Sequence, residues 1–83
     1  MESREIRLKR LKVRADRRGI KEMDILLGGY VTRHGAALTD ADLTLFEALL
    51  VEGDQEVLAW VTGLQPVPEA YRALLGRIIA APR

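Results

Sequence analysis

The 83-residue chain has no cysteine, one histidine, and no proline before Pro66. Lack of cysteine excludes disulfides, thiolate metal sites and thiol nucleophiles. A single histidine excludes any metal cluster built on several imidazoles. Four aromatic side chains, Trp60, Tyr30, Tyr71 and Phe46, leave few large groups for a core. No apolar run approaches the ~20 residues of a membrane-spanning helix. The amino-terminal residues lack the positive start followed by an apolar stretch that marks a secretory signal, so a cytoplasmic protein is the expectation.

What is present is helical periodicity. Hydrophobic residues make up 48% and charged residues 30% of the chain, the balance of a single small globular domain spanning residues 1–83. A core of this size gives modest stability. Val, Ile and Thr never form a long alternating run, and apolar residues recur at helical spacing throughout. The reading is an all-α, compact five-helix bundle.

A basic first helix is expected from about Ser3 to Ala15, with Ile6, Leu8, Leu11 and Val13 as a narrow apolar edge. Asp16 to Gly19 should form a turn. A second helix, about Ile20 to Arg33, has Met23, Leu26, Leu27, Tyr30 and Val31 on one face. Gly28 and Gly29 interrupt it at ~1 kcal/mol each relative to alanine, a cost that close helix packing would explain. Gly35 suits a left-handed position after the helix end, and His34 suits the free carbonyls there. Thr39 should cap a third helix, with Asp42 completing a shortened capping box and Leu38 and Leu43 at the staple positions. Leu43, Phe46, Leu49 and Leu50 form its buried side. Asp54 can cap a fourth helix, to about Thr62, in which Val57, Leu58, Trp60 and Val61 are apolar and Trp60 anchors the core. Pro68 suits the first turn of a fifth helix, with Tyr71, Leu74, Leu75, Ile78 and Ile79 inward and Pro82 at its end.

Charge is unevenly spread. Residues 1–21 carry nine Lys/Arg against three acids, a net +6; residues 22–83 carry four Arg against nine acids, a net −5. A basic end of this kind is either a solvated helical face or a docking surface. A nucleic-acid arm is a third reading, weakened by the lack of aromatics in the segment and of any nucleic-acid motif after it.

Catalytic chemistry does not assemble in the sequence. No nucleophile pairs with a base, only Thr32 lies near the sole histidine, and Gly28-Gly29 lacks the Rossmann spacing. Asp40 and Asp42 read as helix-dipole partners, not a catalytic pair. A non-catalytic binding role is the better expectation.

The most informative run is Arg18-Gly19-Ile20-Lys21-Glu22-Met23-Asp24. It puts a cation, a glycine able to adopt turn angles closed to other residues, and two carboxylates at a helix junction. By spacing alone, Arg18 and Glu22 could simply pair on a helix for ~0.2–0.5 kcal/mol. The run resembles the RGxxE signature of the small flavinylation factors, the SdhE/SDHAF2 family. Members look like R-L-x-aromatic-R-S-x-x-R-G-x-K/R-E-M-D-x-L-L-G-x-F. Arg10-Leu11, Arg14-Ala15, Arg18-Gly19, Lys21-Glu22-Met23-Asp24, Leu26-Leu27-Gly28 and Tyr30 follow that pattern. Leu45 to Leu50, Asp54, Trp60-Val61-Thr62-Gly63 and Pro66-Val67-Pro68 resemble later family segments. Departures are Val13 for an aromatic, Asp16 for an uncharged residue, Gln55 for a proline and Leu58 for an aromatic.

The resemblance implies a five-helix assembly factor that binds the flavoprotein subunit of succinate dehydrogenase, or of fumarate reductase. It would promote covalent attachment of FAD to that subunit. FAD is then the partner's cofactor, and none is assigned to this chain. Arg18, Gly19 and Glu22 would carry the contact, with Asp24 and Arg14 beside them. Arg18 could bond a carboxylate bidentately, and Glu22 could receive a basic side chain. The alternative is an antitoxin-like or nucleic-acid-associated helical protein. A monomer or a weak homodimer fits either reading.

Overall fold

A computed structural model describes residues 3–17 and 19–81. Five α-helices form in the expected order, and no strand occurs among the described residues. They are α1 (Arg4–Ala15), α2 (Lys21–His34), α3 (Asp40–Val51), α4 (Asp54–Thr62) and α5 (Glu69–Ala80), with a 3-10 turn at Gly35–Ala37 between α2 and α3. Pro82 lies outside the described residues.

Local chemistry explains most boundaries. Ser3 caps α1 by accepting from the Ile6 amide at 3.2 Å. Thr39 and Asp42 form the expected capping box of α3: the Asp42 amide donates to Thr39 Oγ1 at 3.0 Å and the Thr39 amide to Asp42 Oδ2 at 3.2 Å. Leu38 and Leu43 flank it and are both buried. At α4 the expectation is corrected. Gly53 is the N-cap, Asp54 is the first helical residue, and no side chain caps the end. Asp54 therefore acts as negative charge in the first turn. Pro68 likewise sits at the N-cap of α5, one residue before the helix.

Gly35 is also corrected. It is right-handed, with φ −57° and ψ −38°, because the chain tightens into a 3-10 turn instead of reversing. Its lack of a side chain has a packing reason: a Cβ there would meet Leu8 Cδ2 at 3.4 Å and Val31 Cγ1 at 3.5 Å. His34 does not take up the expected helix-end carbonyl role. Its ring packs against Tyr30 in a tilted arrangement, 4.9 Å between centroids, and its buried Nε2 has no partner among the described residues.

One continuous core unites the helices. Leu11 and Ala15 come from α1, and Met23, Leu26, Leu27, Tyr30 and Val31 from α2. Leu43, Phe46, Leu49 and Leu50 come from α3, Val57 from α4, and Tyr71, Leu74, Leu75 and Ile78 from α5. The radius of gyration, 12.0 Å, matches the ~12 Å of a close-packed chain of this length. α1 packs mainly on α2, and α3 on α5. Three expected core positions are not buried: Ile6 and Val13 are half exposed, and Ile79 is 40% exposed. α4 is attached more loosely than expected. Only its Val57 is fully buried, while Leu58, Trp60 and Val61 pack on the edge of the core. Trp60 leans on Tyr71, with centroids 5.7 Å apart. The Tyr71 hydroxyl donates to Glu52 at 2.8 Å; burial, and then that carboxylate, push its pKa up.

Candidate functional site

α1 and α2 form a helical hairpin, and the turn between them carries the RGxxE run. Asp16 ends α1, its amide donating to the Lys12 carbonyl at 3.0 Å, and the Arg17 amide reaches the Arg14 carbonyl at 3.3 Å. Gly19 then adopts φ +88°, a left-handed angle that favours glycine. Nothing lies within 4 Å of where its Cβ would be, so backbone angle, not crowding, selects glycine here. Ile20 enters α2 in extended conformation and supplies no capping side chain. Glu22 and Asp24, in the first turn, place negative charge beside the unpaired amides of that end.

Arg18 lies outside the described residues, and with it the question of an Arg18–Glu22 pair. Gly19 and Glu22 are exposed, and Asp24 is half-buried. Arg14 is exposed in the last turn of α1. It follows Arg7 and Arg10 at helical spacing on the side that faces Glu47 of α3. Glu47 is held below the usual carboxylate range first by its hydrogen bond from Arg7, with Arg14 and Arg10 adding more distant attraction. The structure thus gathers Gly19, Glu22 and Asp24 at one end of the hairpin and sets Arg14 toward α3.

The hairpin is tied to the rest of the bundle behind that turn. Arg7 grips Glu47 with two bonds, Nε to Oε2 at 2.9 Å and Nη2 to Oε1 at 2.7 Å, and also reaches Thr44 Oγ1 at 2.9 Å. Arg4 bonds Asp40 at 3.1 Å and also donates to the Leu38 carbonyl. Lys12 pairs with Asp16. Asp16 in turn packs over Gly28, where a Cβ would overlap its carboxylate oxygen. Gly28 is therefore a close-packing glycine, as expected. On the far side of the bundle, Arg77 of α5 bonds Asp42 at 2.7 Å.

Sequence reasoning missed one feature. An open groove of about 480 Å³ runs between α1 and the last turns of α2. Leu8, Val13, Val31 and Ala36 line it, together with Lys9 and Lys12. The available signal was Val13, an apolar residue beside Lys9 and Lys12 on an otherwise basic helix. Among the described residues, no group of three or more His, Cys, Asp or Glu could hold a metal ion, and no helix is long and apolar enough to cross a membrane.

Comparison with known proteins gives a consistent result. Residues 9–81 match the family model described as "Flavinator of succinate dehydrogenase". The chain is 43% identical over 63 residues to the protein named FAD assembly factor SdhE of Acetobacter pasteurianus, covering 76% of this chain and 58% of that one. It is 38% identical over 66 residues to the mitochondrial succinate dehydrogenase assembly factor 2 of Candida glabrata, covering 76% and 43%. The chain spans about half the length of the curated relatives it matches. No solved structure matches it significantly. With the family match running through the basic helix, the RGxxE turn and all later helices, this chain belongs to the succinate dehydrogenase flavinator family.

Proposed function

We propose that this chain is an assembly factor that docks on the flavoprotein subunit of succinate dehydrogenase, or of fumarate reductase, and promotes covalent attachment of its FAD. The observation that carries this reading is the family match over residues 9–81, which contains the whole RGxxE run. The exposed turn suits the role. A left-handed glycine with open space around it lets a partner's backbone approach, and Glu22 projects from the adjoining helix end. Arg18, Gly19 and Glu22 carry the contact in this reading, with Asp24 and Arg14 beside them.

The role is non-catalytic in this reading. Bond formation belongs to the flavin and the flavoprotein, and the helper stabilises a conformation competent for it. A hairpin presenting a short charged turn can do that by binding one conformation of the client more tightly than others. The relatives' names give no support to the nucleic-acid alternative.

Co-expression with the flavoprotein subunit tests the proposal. Glu22→Ala is expected to leave the helical circular-dichroism spectrum intact and to reduce covalent flavin, read as in-gel fluorescence of the denatured subunit. Undiminished fluorescence beside a no-factor control that lacks it would remove Glu22 from the contact.

A further inference from the structure

The groove between α1 and α2 is not accounted for by the RGxxE turn. Its walls are apolar and its interior offers a ligand little to hydrogen-bond. The Thr32 hydroxyl already donates to the Gly28 carbonyl at 3.1 Å, and Gly35 contributes only backbone. Its charge comes from two lysines in the lining: Lys12 is tied to Asp16 and Lys9 is exposed. An apolar groove with lysines in its lining fits an apolar protein segment flanked by carboxylates, not a polar small molecule.

The groove is also continuous with the proposed contact. Counting along α2 from Glu22, Ile25, Gly29 and Thr32 follow at three, seven and ten residues, one stripe of a helix, and Ala36 in the 3-10 turn after α2 lines the groove together with Thr32. Glu22, Ile25, Thr32 and Ala36 are exposed, and Ile25 adds an apolar side chain at 55% exposure between the turn and the groove. At 1.5 Å per residue the stripe from Glu22 to Thr32 is ~15 Å long. A stable interface needs ~800 Å² on each partner, more than one turn can supply, and this stripe extends it.

A second copy of the chain fits the groove poorly. A two-fold dimer through this face would bring two strongly basic helices together. Insertion of the acidic α3–α4 end, where Val51 is exposed, would join two different surfaces and propagate without closing.

We infer that this groove receives an apolar, acid-flanked segment of the same flavoprotein partner, so that the interface runs from Glu22 to Ala36. The inference rests on the reading of this chain as a flavoprotein assembly factor.

The test measures the affinity of the purified full chain for the purified apo flavoprotein subunit of succinate dehydrogenase by calorimetry. Ala36→Trp fills the groove with apolar bulk, and Lys9→Glu reverses one of its charges on an exposed helix face. Each is expected to raise Kd roughly tenfold or more, while Leu64→Ser, remote on the α4–α5 loop, leaves it unchanged. The Lys9→Glu loss should shrink at high salt. Circular dichroism verifies folding, and Lys9→Glu keeps the test decisive if the tryptophan variant misfolds. Wild-type binding that Glu22→Ala weakens but both groove variants preserve would overturn the groove and leave the assembly role standing. No wild-type binding at all would remove both. Groove variants that change only self-association, read by sedimentation velocity, would assign the groove to a second copy and overturn the flavoprotein segment.

Discussion

The carboxylate of Asp16, the last-turn neighbour of α1, occupies the space that a side chain at Gly28 of α2 would need. This contact joins the end of α1 to α2 just behind the RGxxE turn. It yields a signed prediction. Gly28→Ala gains ~1 kcal/mol of helix propensity but suffers overpacking of ~1–3 kcal/mol, and should destabilise the protein by about 1 kcal/mol. In an Asp16→Ala background the overlapping oxygen is gone, and the same substitution should become stabilising. Urea denaturation of the four members of this double-mutant cycle measures the coupling. Additive effects would show that Asp16 does not constrain Gly28.

That pair also shows where sequence reading ends. The interrupted period of α2 identified Gly28 as a packing glycine, because an interior helical glycine needs a reason. Its partner was invisible, since Asp16 is twelve residues away and stood out only as a departure from related sequences. The same limit applies to Arg7 and Glu47, forty residues apart and joined only by the tertiary fold. Faces built on three or four regularly spaced large residues, such as Met23 to Val31 and Leu43 to Leu50, were legible in full. The errors fell at the edges of faces: Ile6, Val13 and Ile79 are apolar but flank the buried stripe, and Ala15 is fully buried though small. Helix ends depended on whether a side chain or the backbone does the capping. Thr39 and Asp42 announced themselves; Gly53 and Gly35 did not. In the candidate site, the motif pointed to Gly19 and Glu22, both of which are exposed, whereas the groove required the crossing of two helices that no local pattern encodes.

Gly19 is held at φ +88° with free space around it. Gly19→Ala should therefore cost ~1–2 kcal/mol through backbone angle alone. Asparagine, which tolerates the left-handed region better, should cost less. Thermal unfolding distinguishes the two. A functional loss in Gly19→Asn larger than its loss of stability would show that the missing side chain matters to the partner's approach.

Arg7 joins α1 to α3 through a planar, two-bond grip on Glu47 and a third bond to Thr44. The pair is half-buried, with side-chain exposures of 24% and 32%, so it should be worth more than a fully exposed pair. Arg7→Ala is expected to cost ~1–3 kcal/mol. Arg7→Lys should recover only a minor part, because an ammonium cannot reproduce the fork. Chemical denaturation measures both. Full rescue by lysine would reduce the contact to simple charge attraction.

Acid should loosen the bundle through Asp42. The hydrogen bond from Arg77, and then that from the Thr39 amide, lower its pKa from 3.8 to about 2. A carboxylate whose folded pKa is depressed binds protons more readily in the unfolded chain. Its stabilisation is therefore complete above pH 3.8 and is lost as pH falls toward about 2. Glu47, lowered by Arg7, acts in the same direction below its ordinary value of 4.5. Stability should thus fall steeply on acidification below pH 4.5, with α3 losing both its capping box and its tie to α5. Asp42→Asn should remove about 1 kcal/mol at neutral pH, since Arg77 is half exposed and the bridge is partly screened. It should also flatten the profile between pH 3.8 and about 2, because the group that titrates there is gone. Unfolding free energies measured across this range for the wild type and the variant check both parts. Parallel pH profiles would show that Asp42 keeps its ordinary acidity in the folded state.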